Sequence, residues 1–196
     1  MNKFLNPEDA TKWLNQGKIL IHPTEGVWGI GCDAFNPLAV EKVNTLKQRD
    51  QSKGLILLAS SMQNALQYFQ PLSEQQNSFV MDHWPGHTTI IFNSSDKVPF
   101  HLKSIDNTIA VRVSNHKPLI SLLSFFNNLI VSTSANISNL PTPKRPEDIA
   151  KTFDDSDVAF YYFNNGGLKK PSAIIDLNTM ESVSYTHLTL PTTVDV

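Results

Sequence analysis

The chain has 196 residues, a formal net charge of -2, and 40% hydrophobic against 17% charged residues. This length suits one domain that buries roughly 70% of the surface its unfolded form exposes, and the charge argues against a protein that mainly coats nucleic acid. The single cysteine, Cys32, excludes an intrachain disulfide and the usual thiolate zinc site. The first residues lack the apolar core of a signal peptide, and no apolar run reaches the ~18 residues of a membrane span, so we expect a cytoplasmic protein without a membrane segment.

Hydrophobic periodicity predicts alternating helices and strands along the chain. In chain order these are helix 7–16, strand 18–22, helix 37–47, strand 54–59, helices 61–69 and 73–83, strands 88–92 and 108–113, helix 118–126, strand 129–132, helix 146–153, and strands 158–163 and 173–177. Three closely spaced glycines, Gly26, Gly29 and Gly31, predict a loop or irregular strand where the backbone passes close to another group.

This alternation, with several short strands at irregular spacing, predicts an α/β (α+β) single domain with a twisted mixed sheet. We expect the domain to cover residues 1–181. Residues 182–196 are threonine-rich and show no periodicity that suits the preceding pattern. We interpret them as a non-native or disordered tail and expect no function there.

Lys47 and Arg49 are the first candidate binding pair. Two residues apart in a strand or extended turn, both side chains point to one side, and an ammonium beside a guanidinium suits phosphate and carboxylate oxygens. The alternative is a pair of solvated charges at the end of the preceding helix, where cations suit the helix dipole.

Ser134 and Asn136 have the same spacing and follow the apolar segment 129–131. Ligands of open α/β sheets commonly bind beyond strand C-termini, where a hydroxyl and an amide could hold phosphates or a ribose. The alternative is turn chemistry, since Ser and Asn favour turns by bonding their own backbone.

Several common catalytic motifs are absent from the sequence. The glycines do not follow the G-x-G-x-x-G order, and there is no phosphate-loop motif, no H-E-x-x-H and no G-x-S-x-G elbow. We therefore expect neither a dinucleotide fold, nor a serine hydrolase, nor a metal held by protein ligands.

Taken together, the spaced segments resemble the YrdC-like threonylcarbamoyl-AMP synthase family in its short, single-domain bacterial form. The resemblance covers about Leu5 to Leu177, and the ordered set of segments is more specific than any one of them. The matching segments are Pro23 to Asp33, Lys47 with Arg49, Trp84 to Gly86, Ala110 to Arg112, Ser134 with Asn136, and Pro171 to Asp176.

The resemblance implies a nucleotidyltransferase with a concave basic cavity, which makes threonylcarbamoyl-AMP and pyrophosphate from L-threonine, bicarbonate and ATP. Mg²⁺ would enter with the nucleotide. The product would serve N6-threonylcarbamoyladenosine modification of tRNA through partner threonylcarbamoyl-transferase proteins.

Carried onto this sequence, the resemblance assigns ten site residues. The implied catalytic residues are Lys47, Arg49, Ser134 and Asn136. The implied nucleotide-binding residues are these four together with Lys53, Thr108 and Ser132. The implied threonine-binding residues are Thr24, Arg112 and Ser172.

Three positions depart from the family pattern. Gly26 stands where some relatives carry threonine, His22 where tyrosine is common, and His87 where proline is common. The alternative functions are a non-catalytic module that binds double-stranded RNA or tRNA through shape and phosphate contacts, and a related carbamoyl-adenylate activity in metal-centre maturation, for which we expect additional domains.

Overall fold

The fold is described from a computed structural model, which describes residues 1–168 and 171–183. Most of the predicted tail, residues 184–196, lies outside the described residues. The helices are α1 Pro7–Asn15, α2 Pro37–Leu46, α3 Met62–Leu66, α4 Glu74–His83, α5 Lys117–Phe126 and α6 Pro146–Thr152. The strands are β1 Asn2–Phe4, β2 Ile19–His22, β3 Gly29–Asp33, β4 Ile56–Ala59, β5 Thr88–Asn93, β6 Thr108–Val113, β7 Ile130–Ser134, β8 Val158–Tyr161, β9 Ala173–Asp176 and β10 Glu181–Ser182.

Local signals in the sequence set most helix ends. The Asn6 side chain accepts the Asp9 amide at the start of α1, and Asn36 does the same for Ala39 at the start of α2. Ser73 and Gln76 form a reciprocal capping box on α4. Gly17 follows α1 with φ +74°, a conformation that disfavours a side chain. The predicted helix boundaries therefore agree closely with the structure.

The helix predicted over 61–69 is shorter in the structure, because α3 ends at Leu66. The chain turns there, and Phe69 forms an isolated bridge with Ser94, so its backbone bonds across to the end of β5. Two short strands, β1 and β10, were not predicted. They lie at the two opposite edges of the sheet, and each pairs with a single neighbour. Strands of three and two residues are too short to show a hydrophobic alternation in the sequence.

The strands form one ten-stranded mixed sheet in the order β1-β8-β2-β3-β7-β4-β6-β5-β9-β10. β4 pairs with β6 in parallel and with β7 in antiparallel orientation, and β2 and β3 form an antiparallel hairpin. The mixed sheet confirms the predicted fold class. Among the described residues, no helix is both long and apolar enough to cross a membrane.

The two faces of the sheet are covered differently. The main core fills one face and includes Ile30, Leu57, Val111 and Val131, which pack with helices α2, α4 and α6. On the other face, α1 and α5 cover only the part of the sheet around Leu20, Leu58 and Ile130. We call this part the helix-covered half.

The rest of that second face forms the open half, defined by Ile56, Ile91, Ala110 and Ile174. Strand alternation places these four side chains on the same face as the helix-covered half, since Ile56 pairs with Ala110 and Ile91 pairs with Ala110 from the other side. No described helix packs on them, and two of the four, Ile56 and Ile174, form the apolar floor of a cavity.

Candidate functional site

A cavity of about 500 Å³ lies over the open half of the sheet. Its floor includes Ile56 and Ile174, and its walls come from the β2–β3 loop and the ends of β6, β7 and β9. The polar residues of its lining are Thr24, His87, Arg112, Ser132, Thr133, Ser134, Ser172 and Ser182. An apolar floor with a few converging polar groups is typical of a small-molecule site.

The register of the strands explains which polar groups meet. Ile56 of β4 pairs with Ser132 of β7 and with Ala110 of β6, and Gly29 of β3 pairs with Ser134. Residues two positions apart in a strand share a face. Ser132 and Ser134 on β7 therefore point to the same face as the open half. Arg112, two residues after Ala110 on β6, points to that face as well.

Lys47 lies behind the cavity lining rather than in it. Its side chain is almost fully buried, and its Nζ donates to the carbonyl oxygens of Ser134 at 2.5 Å and Asn136 at 2.7 Å. Burial, with the Arg49 guanidinium nearby, lowers the pKa of Lys47 to about 7. Lys47 thus fixes the chain at the end of β7 by bonding the two residues that flank Ala135.

Arg49 acts on the next segment in a similar way. Its guanidinium donates to the carbonyl oxygens of Lys53 at 2.6 Å and Gly54 at 2.7 Å, which lead into β4. Lys47 ends α2 and Gln48 has φ +49°, so the pair lies in a helix-ending turn and not in the extended segment we had considered. The alternative of solvated charges is also wrong, since both side chains are buried.

Asn136 and Thr108 are bound to nearby groups of the chain. The Asn136 amide donates to the carbonyl oxygens of Ile137 and Leu140, which shapes the loop after β7. The Thr108 hydroxyl lies 2.7 Å from that of Ser104, at the beginning of β6. Both residues lie toward the end of the sheet at which β7 finishes with Ser134.

Of the ten predicted site residues, the cavity lining brings together Thr24, Arg112, Ser132, Ser134 and Ser172. It does not include the other five, Lys47, Arg49, Lys53, Thr108 and Asn136. Lys47, Arg49 and Asn136 position backbone beside the cavity, and Lys53 takes part through its carbonyl oxygen. The roles assigned to all ten remain predictions.

The threonine-binding candidates are held by specific contacts. The Thr24 hydroxyl donates to the Val27 carbonyl oxygen at 2.6 Å and closes the turn between β2 and β3. The Ser172 hydroxyl lies 3.0 Å from that of Thr89 on β5. Arg112 is buried, and this burial lowers the pKa of its guanidinium while Glu25 opposes the shift.

Glu25 is the site residue that sequence reasoning missed. Its carboxylate is buried, accepts the Ser114 hydroxyl at 2.5 Å, and lies 3.7 Å from both Arg112 Nη2 and His87 Nδ1. Burial opposes ionisation, but Arg112, Ser114 and His87 together bring the pKa of Glu25 below its ordinary value. The available signal was its place between Thr24 and Gly26 in the best-matched segment.

His22 explains the nearby glycine. The ring lies fully buried on β2 opposite Gly29, and a Cβ on Gly29 would approach the ring to 2.4 Å. Burial lowers the pKa of His22 to about 4, so the ring is neutral at pH 7. Gly29 is therefore required by the close approach of a side chain.

The described residues contain no group of three or more His, Cys, Asp or Glu side chains that could hold a metal ion. A metal ion that enters with a phosphorylated ligand would keep mostly water and phosphate oxygens as its ligands, which suits Mg²⁺. The residues present are compatible with that mode of binding.

Fold and cavity together define a class of protein: a single-domain mixed α/β fold with half of one sheet face open as a polar-walled cavity. A family model described as telomere recombination, that of the Sua5, YciO and YrdC proteins, matches residues 12–185. The chain belongs to the Sua5/YciO/YrdC family, which confirms the predicted resemblance.

The curated relatives carry an enzyme name. The threonylcarbamoyl-AMP synthase of Vibrio parahaemolyticus is 39% identical over 178 residues, which cover 90% of this chain and 96% of that protein. The threonylcarbamoyl-AMP synthase of Buchnera aphidicola subsp. Schizaphis graminum is 38% identical over 170 residues, covering 86% and 89%. These names favour an enzyme over the RNA-binding alternative.

A solved structure, P. abyssi Sua5 complexed with L-threonine, superposes with a TM-score of 0.80 at 26% identity. The match covers 88% of this chain and 51% of the Sua5 chain, so this chain spans about half the length of that protein.

Proposed function

We propose that the chain is a threonylcarbamoyl-AMP synthase, a nucleotidyltransferase that converts L-threonine, bicarbonate and ATP into threonylcarbamoyl-AMP and pyrophosphate. The observation that carries the proposal is the cavity over the open half, where Arg112 faces a row of hydroxyls from Ser132 and Ser134 above an apolar floor. The similarity to curated synthases over nearly the whole chain supports it.

The reaction has two steps. The threonine amine attacks the carbon of bicarbonate or carbon dioxide and forms a carbamate with loss of water or a proton. A carbamate oxygen then attacks the α-phosphorus of ATP, the bond to the β-phosphate oxygen breaks, and pyrophosphate leaves. Because charge develops on phosphate oxygens, catalysis depends on positioning and on fixed positive or hydrogen-bonding groups.

In this scheme Arg112 binds the threonine carboxylate, and Thr24 and Ser172 complete that end of the cavity. Ser132 and Ser134 donate to the nucleotide or the carbamate. Lys47 and Arg49 apply positive charge from behind the end of β7 and the start of β4, while Lys53, Thr108 and Asn136 support the nucleotide end. Mg²⁺ would screen the triphosphate, which lowers the repulsion met by the carbamate.

The wider context is also part of the proposal. Threonylcarbamoyl-AMP is a reactive mixed anhydride, so a transferase must take its acyl group to adenosine in tRNA. We propose a cytoplasmic location, where ATP, tRNA and the threonylcarbamoyl-transferase proteins meet.

Pyrophosphate release from ATP in the presence of bicarbonate tests the function. We expect release that depends on L-threonine and is much weaker with serine, alanine or no amino acid, together with threonylcarbamoyl-AMP detected by mass spectrometry. Threonine-independent or absent release from the folded protein would contradict the proposal. Steeply salt-dependent tRNA binding without release would favour the RNA-binding alternative.

A further inference from the structure

Glu25 and Arg112 form a buried ion pair that is unusually loose. The carboxylate Oε2 lies 3.7 Å from Arg112 Nη2 and accepts no hydrogen bond from the described residues. A carboxylate and a guanidinium free to approach each other form two parallel hydrogen bonds of about 2.7–2.9 Å. Something therefore holds Glu25 away from the closed, bidentate geometry.

Two side chains account for this position. The Ser114 hydroxyl donates to Oε1 of Glu25 at 2.5 Å, and His87 places Nδ1 3.7 Å from Oε2, the oxygen that also lies 3.7 Å from Arg112. Oε1 thus accepts a hydrogen bond, and Oε2 has both the guanidinium and the imidazole as neighbours. Glu25 is shared among three groups rather than committed to Arg112.

The backbone fixes this arrangement from both directions. The Gly86 amide donates to the Val113 carbonyl oxygen at 2.8 Å, which anchors the segment carrying His87 to the end of β6. The Leu168 amide donates to the Glu25 carbonyl oxygen at 2.8 Å. These two hydrogen bonds anchor the backbone next to His87 and at Glu25.

Among the described residues, Glu25 Oε2 and Arg112 Nε are buried atoms without a hydrogen-bond partner. Buried charged groups normally fill their hydrogen-bonding capacity. Arg112 and His87 line the cavity while Glu25 lies behind them. The guanidinium therefore lines the cavity with part of its hydrogen-bonding capacity unfilled.

We propose that His87 is a positioning residue for Arg112: by sharing the Glu25 carboxylate, it keeps Glu25 from neutralising the guanidinium and so leaves Arg112 able to bind the carboxylate of the amino-acid substrate. This inference rests on the proposed function, because it assigns the amino-acid end of the same cavity. Without His87, Glu25 closes on Arg112 and competes with the substrate carboxylate. With His87 present, Glu25 stays between His87 and Arg112, and the Arg112 guanidinium is already positioned to bind the substrate carboxylate.

The test compares steady-state kinetics of wild type and His87→Ala. We expect the threonine KM to rise about tenfold, the scale of losing one close polar neighbour of a buried charged group, while the ATP KM stays unchanged. His87→Asn, which keeps a donor near the position of Nδ1, restores a threonine KM close to wild type. Should alanine prevent folding, His87→Leu removes the donor while filling the space and answers the same question.

A second substitution separates positioning from general damage. In the His87→Ala background, Glu25→Gln replaces the competing carboxylate by a neutral amide, so we expect the threonine KM to fall relative to His87→Ala alone. A merely structural role of His87 would make the double variant as poor as or worse than the single one, which would overturn the inference. His83→Ala, a histidine on α4 outside the cavity lining, serves as the matched control and leaves both KM values unchanged.

The outcomes also separate the inference from the function on which it rests. Wild-type release that depends on threonine, with an unchanged threonine KM in His87→Ala, overturns the inference and keeps the synthase. Absent release from wild type overturns the synthase. In that case the threonine dissociation constant, measured by calorimetry, decides the inference: a rise in His87→Ala supports it and an equal value overturns it.

Discussion

The helix-covered half and the open half occupy the same face of one sheet, yet they have opposite chemistry. Along β7 this change occurs within a single strand: Ile130 packs under the helices, while Ser132 and Ser134 rise two and four residues later beside the cavity. On β4, Leu58 and Ile56 lie two positions apart on the same face and differ in the same way: Leu58 packs under the helices and Ile56 lies in the cavity floor.

This comparison shows that the site exists where no described helix packs on the sheet. The face alternation is the same in both halves, so strand geometry does not distinguish them. The difference is that α1 and α5 pack over one half only. Polar groups are stable in the open half because ligand or water can bind them, whereas an unpaired polar group under the helices would cost free energy.

The largest effect is expected from breaking the helix-covered half alone. Leu122 on α5 is fully buried there, so Leu122→Ala should lower the free energy of unfolding by about 2–5 kcal/mol. Denaturant unfolding measures the loss. Leu38→Ala, at a leucine of α2 that is 74% exposed, is the matched control and should change stability by less than about 0.5 kcal/mol.

If the two halves are independent, the folded fraction of Leu122→Ala should bind threonine as the wild type does. A large change in the threonine KM of this variant would contradict the division of the face into a structural half and a functional half.

A smaller effect is expected at His22, which lies on β2 at the boundary between the halves. Its pKa in the folded protein is about 4, below the ordinary 6.5, so the folded state binds fewer protons than the unfolded state. The contribution of neutral His22 to the free energy of unfolding is therefore present above pH 6.5 and is lost as the pH falls toward 4. Its full size is about 3 kcal/mol, from 1.36 kcal/mol for each pKa unit.

The measurement is the pH dependence of unfolding for wild type and His22→Gln, which removes the titrating ring. Because Glu25 also loses stabilisation at low pH, the informative quantity is the difference between the two proteins. We expect the variant to lose less stability than the wild type between pH 7 and pH 4.5. Parallel curves would contradict a buried neutral histidine.

Much of the fold could be predicted because its determinants are local. Capping residues and prolines mark most helix starts, and alternation marks the longer strands. Strand order could not be predicted, since it depends on pairings such as Ile56 with both Ser132 and Ala110, which lie far apart in the sequence. The shortest edge strands carry too few residues for a pattern.

The residues of the site likewise include some that the sequence could predict and some that it could not. Ser134 was predicted from its place after an apolar segment and Ser132 from the family resemblance, and the cavity lining includes both. Glu25 was missed because its role depends on Ser114, 89 positions away, and on the loop that carries His87. Lys47 and Arg49 were expected to bind a ligand, a role that stays a prediction, and no sequence pattern reveals that both side chains also donate to backbone carbonyl oxygens.

The smallest effect is expected at Lys47, which lies behind the open half. With its pKa lowered to about 7 by burial and by Arg49, the amine is about nine-tenths neutral at pH 8. If ATP binds with its phosphates near this amine, the charged form is favoured and binding takes up close to one proton. The cost of that protonation at pH 8 is about 1.4 kcal/mol.

Calorimetric titration with ATP in two buffers of different ionisation enthalpy measures the uptake directly. Lys47→Met, which keeps the apolar stem and removes the amine, should abolish it. As the pH is lowered from 8 to 6, wild-type uptake should decline, because the free enzyme already carries the proton below the pKa of Lys47. Uptake that is absent in wild type, or that persists in Lys47→Met, would restrict Lys47 to holding the carbonyl oxygens of Ser134 and Asn136, and the phosphate-binding role would pass to groups that line the cavity.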